Sequence, residues 1–359
     1  MVTAELSRRG FLAGSTLIAS PVLAGLPAFP AMALDRAGQQ MSKAEILATV
    51  APELRPSAAA ILESPFDFSE LSDESLPRFR QWRSGVTATE GPEVATHTIP
   101  GPSGAPDIAV LVANADPETP RPAVVYLHGG GFVMGSAKQD EAIIRQIATE
   151  CDCVVLAPNY RLAPETRWSG SLEDNYAGLK WTFDRAVELG ILSDKIAVMG
   201  NSAGGGHAAL LAIAARDRGE VPLVCQSLLY PMLDDRTGSS APAPTHVGNI
   251  LWTAPANRFG WRSFLGEEPG QPVRVAAGVP ARVNDLSGLP PTFIGVGSID
   301  LFVDENIAYA RRLIAAGVAT ELAVVAGAYH GFDLLAPDVP VSRHFNIAKF
   351  AALRRALHG

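Results

Sequence analysis

The chain has 359 residues, 47% apolar and 18% charged, with a formal charge of -8. That length supplies a sizeable core for one or two domains, and the absence of any run of Lys or Arg excludes a phosphate backbone, and so nucleic acid, as an expected partner. Three cysteines are too few for a disulfide framework, and the 33 Gly and 28 Pro are spread along the chain without a repeat or low-complexity tract.

Residues 1–33 read as an address. Arg8 and Arg9 precede Phe11 and Leu12, an uncharged stretch follows, and Ala31-Met32-Ala33 places small residues at a signal-peptidase spacing. The opening resembles a twin-arginine export signal. A membrane span is the competing reading of the uncharged run, but Pro21, Pro27 and Pro30 interrupt it. The expectation is cleavage after export by the twin-arginine machinery to the periplasm or beyond the cell, with no stable membrane anchor.

Residues 34–90 follow as a helical segment. Leu47, Val50 and Leu54 recur at helical spacing, as do Leu76, Phe79 and Trp82. From residue 91 the pattern changes. "DIAVLVAN" alternates as a strand, and "AVVYLHGGG" is a strand running into a glycine loop. Helix "EAIIRQIATE", strand "CVVLAPNY", helix "EDNYAGLKWTFDRAVELG" and strand "KIAVMG" come next. Helix "SAGGGHAALLAIAARD" and strand "PLVCQSLLYPML" precede an irregular stretch at about 235–285. Then come strand "PTFIGVGSID", helix "ENIAYARRLIAAG", strand "TELAVVAGAYH" and a last helix near Phe345 to Leu357. Cys151 and Cys153, two apart on an expected strand, would share one face, a poor geometry for bridging each other. All three cysteines read as small buried apolar residues.

Strands that alternate with helices imply an α/β fold with a mostly parallel central sheet flanked by helices. Ligands on such sheets bind beyond the carboxyl ends of the strands, so the residues just after each strand matter most. After "KIAVMG" stands Ser202, in Gly200-Asn201-Ser202-Ala203-Gly204, a tight strand-to-helix turn that lifts a hydroxyl off the sheet. After "PTFIGVGSI" stands Asp300, and after "TELAVVAGAY" stands His330. The order Ser, Asp, His is that of a hydrolase triad: His330 would take the proton of Ser202, and Asp300 would orient the imidazole. Asp304 and Glu305 are the competing acids. Of the other histidines, His207 reads as packing, and His344 and His358 fall in the terminal helix region. After "AVVY", "LHGGGF" offers backbone N–H groups with no side chains in the way. Together with Ala203 these could stabilise an oxyanion. A flexible loop or a phosphate cradle is the alternative, though no Lys-Ser/Thr follows the glycines. His128 reads as a brace for that loop.

On "HGGGF", "NYRLAPE", "GNSAGG", "LWT", "DLSGLPPTFIGVGSIDLFVDEN" and "GAYHGF", the chain from about Ala123 to its end resembles the bacterial hormone-sensitive-lipase-like esterases. The resemblance implies an α/β-hydrolase fold over residues 91–359 and a serine carboxylesterase for short- to medium-chain esters. It also implies a triad of Ser202, Asp300 and His330, with oxyanion N–H groups from Gly130, Gly131 and Ala203. A helical cap would form from the 34–90 segment and the insertion at about 235–285. Such an enzyme needs no metal and no organic cofactor, only a small-molecule ester. Asn201 stands where the family often has Asp, and Leu301-Phe302-Val303 where Pro-Leu-Arg is frequent. Arg161 and Glu165 of "NYRLAPE" are expected to pair beneath the loops. An amidase or lactonase on the same triad and a non-catalytic small-molecule receptor are the other readings.

Overall fold

A computed structural model describes residues 41–82, 90–272 and 276–359. The expected signal at 1–33 lies outside the described residues, as do the ends of the 34–90 segment. The first helix, α1 (Lys43–Thr49), starts at a reciprocal cap: Ser42 Oγ accepts from the Glu45 N–H, and the Glu45 carboxylate accepts from the Ser42 N–H at 2.9 Å. Helices α2 (Arg55–Leu62) and α3 (Leu76–Trp82) follow. Val50, Leu54, Leu76 and Phe79, picked out by helical spacing, are all buried.

The alternating region begins with β1 (Val94–Ile99), β2 (Ile108–Ala113), β3 (Arg121–Leu127), α4 (Glu141–Cys151), β4 (Val154–Pro158) and α5 (Trp168–Asp184). It continues with β5 (Ile191–Asn201), α6 (Ala203–Arg218), β6 (Cys225–Leu229), α7 (Ala254–Leu265) and β7 (Thr292–Gly297). It ends with α8 (Val303–Ala315), β8 (Thr320–Val325), α9 (Phe332–Leu335) and α10 (Pro340–His358). Among the described residues, eight strands form one sheet in the order β1-β2-β4-β3-β5-β6-β7-β8. The pairs β1–β2 and β2–β4 are antiparallel and the remaining five are parallel.

Period-two geometry splits the strand residues between two cores. Val125 and Val198 face one side with Leu179 of α5, Leu210 of α6 and Leu313 of α8. Val124 and Met199 face the other with Ile144 of α4 and Leu353 of α10. Both faces are covered, so β2 is buried along nearly its whole length rather than alternating.

Three local expectations change. The edge strand β1 was not legible, because its residues are mostly half-buried or exposed and polar. Cys151 is the last residue of α4 rather than part of a strand, and Asp152 at φ 42 ends that helix in the left-handed form. The final helix starts at Pro340, earlier than Phe345. Proline suits a first helical position, and Glu53 accepts the N–H of Val341 there at 2.9 Å. All three cysteines are buried, and burial pushes the Cys151 and Cys225 thiols up to about 12.

Candidate active site

Ser202 sits between β5 and α6 with φ 58 and ψ -122, a conformation that costs an L-residue energy and persists only where neighbours enforce it. Its N–H donates to the Leu229 carbonyl at 2.8 Å, and its carbonyl accepts from Met232 at 3.0 Å and Gly206 at 3.1 Å. The surrounding glycines are steric requirements. A Cβ on Gly200 would lie 2.1 Å from the Gly204 carbonyl oxygen, and one on Gly204 would lie 2.0 Å from that of Leu127. Helix α6 tolerates three successive glycines in its first turn because it is buried all round from Ala203 to Ala215.

The loops after β5, β7 and β8 bring three side chains into one line. His330 Nε2 is 2.8 Å from Ser202 Oγ, and His330 Nδ1 is 2.8 Å from Asp300 Oδ2. An ionised carboxylate only accepts, so Nδ1 carries the proton and Nε2 is free to accept from the hydroxyl. Asp300 is itself held by the Phe302 N–H, which donates to Oδ1 at 2.9 Å. Ser202, Asp300 and His330 are 8%, 1% and 5% exposed. The competing acids point elsewhere. Asp304 is exposed on α8, and Glu305 accepts the Leu233 N–H at 2.7 Å.

The glycine loop follows β3, the neighbour of β5, and turns back through N–H bonds from Val133 and Met134 to the Gly130 carbonyl. Gly130 has φ 131 and Gly131 φ 60. A Cβ on Gly131 would meet Trp252 Cη2 at 2.1 Å, and one on Gly130 the Met134 carbonyl at 2.0 Å. Both line the cavity that also holds Ser202 and His330. Ala203 is the first residue of α6, where a backbone N–H has no intrahelical partner. His128 stacks on Tyr160 with ring centroids 4.2 Å apart, and its Nδ1 donates to the Gly129 carbonyl at 2.9 Å. It therefore braces the loop and lies outside the serine–imidazole line.

The remaining histidines sit apart from that line. His207 is edge-on to Phe132 and Phe264, and burial pushes its pKa down to about 3. His344 is exposed on α10, and His358 bonds the Cys151 carbonyl at 2.7 Å. The expected Arg161–Glu165 pair does not form. Arg161 instead grips Asp174 of α5 through Nε at 2.8 Å and Nη2 at 2.7 Å. Asp174 is fully buried and needs a cation there, whereas Glu165 points outward and meets Arg80 of α3 at 2.7 Å.

Tyr230 was not singled out from the sequence. Its ring lies edge-on to His330 with centroids 4.9 Å apart, and Phe302 flanks the imidazole similarly at 5.2 Å. The Tyr230 hydroxyl donates to Asp333 Oδ1 at 2.9 Å, and Lys349 of α10 donates to Asp333 Oδ2 at 2.8 Å. Burial, reinforced by the Asp333 charge, raises the Tyr230 phenol well above its usual range. The signal was available: Tyr230 directly follows β6, at the same sheet end as the other site residues. The cavity is about 130 Å³, walled on its apolar side by Phe68, Met134, Leu251, Trp252 and Leu335. Phe68 comes from the N-terminal helical segment and Trp252 from the stretch before α7. Among the described residues, no group of three or more His, Cys, Asp or Glu is placed to hold a metal ion.

A positioned hydroxyl, an imidazole within reach of it, an orienting carboxylate and a glycine loop form an arrangement suited to acyl transfer. Residues 124–334 match the family described as alpha/beta hydrolase fold. The chain is 33% identical over 320 residues to the esterase LipI of Mycobacterium tuberculosis, covering 86% of this chain and 97% of LipI. It is 37% identical over 247 residues to the carboxylesterase NlhH of the same species, covering 66% of this chain and 74% of NlhH. Among solved structures, the bacterial heroin esterase aligns with a TM-score of 0.77 at 35% identity, covering 87% of this chain and 99% of that one.

Proposed function

The chain belongs to the hormone-sensitive-lipase-like esterases of the α/β-hydrolase fold family, and from that premise we propose the roles of its residues in carboxylic-ester hydrolysis. Ser202 attacks the ester carbonyl as His330 takes its proton, and Asp300 holds the imidazole tautomer and stabilises the cation. The N–H groups of Gly130, Gly131 and Ala203 receive the oxyanion, each contributing about 2.7–4 kcal/mol to the lowered barrier. His330 then protonates the departing alcohol, and water activated by the same imidazole releases the acid from the acyl-enzyme.

The observation that carries this reading is the unbroken Ser202–His330–Asp300 line, 2.8 Å at each step. The small cavity supports short- to medium-chain esters as substrates. Export belongs to the same proposal and is supported by Arg8-Arg9 and the Ala31-Met32-Ala33 site. Among the described residues, no helix is long and apolar enough to cross a membrane.

A fluorophosphonate probe should label the protein and fail to label Ser202→Ala, and nitrophenyl esters should lose reactivity as the acyl chain grows long. A Ser202→Ala protein that hydrolyses esters at the wild-type rate would overturn the assignment. Enzyme retained in the cytoplasm would overturn export alone.

A further inference from the structure

Phe68 and Leu251 each wall three cavities at once. The first is the chamber of about 130 Å³ over Ser202 and His330. The second, about 350 Å³, is bounded on its far side by Ser57, Ala60 and Ile61 of α2. The third, about 810 Å³, opens between residues 41–69 and 238–258. Leu335 is shared by the first two. Ligand clefts commonly measure about 300–1,000 Å³, so the chamber alone admits only a small ester, and these side chains separate it from larger, ligand-sized space.

Leu251 holds its place at a conformational cost. It has φ 65 and is the centre of a three-residue turn closed by the Trp252 N–H on the Ile250 carbonyl at 2.9 Å. The γ-turn with positive central φ is rare and strained. Strain of this kind at the wall of a binding chamber is typical of residues that clamp or orient a ligand. Phe68 is packed against Phe79 and Trp252, with centroids 5.1 and 5.9 Å away.

The second cavity lies on the imidazole side of the chamber. Leu335 ends the short helix that begins two residues after His330. The Ser57 hydroxyl meets that of Tyr329, the residue before His330, at 2.6 Å, which fastens α2 beside the imidazole. His330 Nε2 must reach the leaving oxygen to protonate it, so the alcohol arm of an ester departs across this side.

We propose that Phe68, Leu251 and Leu335 form a partition that limits the length of the alcohol arm by closing the chamber off from the mostly apolar groove against α2, which receives a longer aliphatic alcohol once the partition is cut back. The inference rests on the ester-hydrolase reading above.

The test compares kcat/KM for n-alkyl acetates from ethyl to hexyl and, in a parallel arm, for ethyl esters of acids from acetate to octanoate. The proteins are wild type, Leu251→Gly and Leu335→Ala. Glycine is at ease at φ 65 and Leu335 is 41% exposed, so both variants should melt as folded proteins. One methylene in an apolar pocket changes discrimination by about 10–200-fold, so the hexyl-to-ethyl acetate ratio should rise at least about tenfold in Leu251→Gly. Leu335→Ala should move it the same way by less, and the acyl series should change little. An unchanged alcohol profile in both variants, or a gain confined to the acyl arm, overturns the partition while leaving the esterase reading standing. A wild-type protein that hydrolyses no ester and takes no fluorophosphonate overturns both.

Discussion

Arg80 and Glu165, 85 residues apart in the chain, meet fork to fork, with both nitrogen–oxygen contacts at 2.7 Å. Arg80 also donates to the carbonyls of Val133 at 2.8 Å and Ala163 at 3.0 Å. One guanidinium thus ties α3 to the loop that carries the glycines. The two partners should not be equivalent. Glu165 is 62% exposed, so Glu165→Gln should cost less than about 1 kcal/mol. Arg80→Ala abandons two partly buried carbonyls as well and should cost about 2–3 kcal/mol. Urea unfolding of the two variants checks the order, and equal losses would contradict it.

Ser202→Ala should lower turnover by at least about 10³ with the fold retained. Ser202→Gly should be as inactive yet unfold at higher urea than Ser202→Ala. Glycine relieves a φ of 58 whose strain is of order 1–3 kcal/mol. The reverse order of stability would show that the elbow is not strained.

Asp300→Asn should leave His330 in place but favour the wrong tautomer, reducing kcat by about 10⁴. Esterase assays together with a melting curve test this. A loss below tenfold would mean that the carboxylate 2.8 Å from Nδ1 does not orient the imidazole.

Gly204→Ala drives a methyl into the Leu127 carbonyl, 2.0 Å from the ideal Cβ. Backbone on both sides leaves no flexible neighbour to yield, and overpacking of that kind should cost about 3 kcal/mol or more. Gly219, where nothing lies within 4 Å of a built Cβ, should take Ala with only the penalty of its positive φ. Paired urea titrations compare them, and equal losses would refute the steric account.

Glu305 gives a pH dependence of definite sign. Burial pushes its carboxyl well above the ordinary value of 4.5, against the pull of the Leu233 N–H it accepts. A raised acid binds its proton more tightly in the folded state. The resulting stability is fully present below pH 4.5 and is lost as the pH rises toward the raised value. The depressed His207 imidazole works in the opposite direction up to about pH 6.5, so the Glu305 effect is read by difference: Glu305→Gln, which keeps an acceptor oxygen and cannot titrate, should gain stability relative to wild type as the pH rises across that window. Parallel slopes in the two proteins would contradict this.

The elbow was legible from residues 198–210 because its causes are local. A short apolar strand, a turn too tight for any Cβ at Gly200 or Gly204 and a helix start are all written in neighbouring residues. The positions of Asp300 and His330 were legible for a related reason. Strands that alternate with helices must run parallel, and parallel strands deliver their carboxyl ends to one edge. Pairing across the surface was not legible. "NYRLAPE" places Arg161 four residues from Glu165, but the fully buried Asp174 on α5 needs a cation more than an exposed glutamate does.

Tertiary structure alone decided the half-buried edge strand β1, the Tyr230–Asp333–Lys349 support behind the imidazole and the partition at Leu251. Each depends on which segments, far apart in the chain, come to lie side by side. The sequence by itself determined which chemical groups stand at the strand ends, since backbone geometry and apolar periodicity act over a few residues. The size and walls of the chamber came from long-range packing, which no short window of residues specifies.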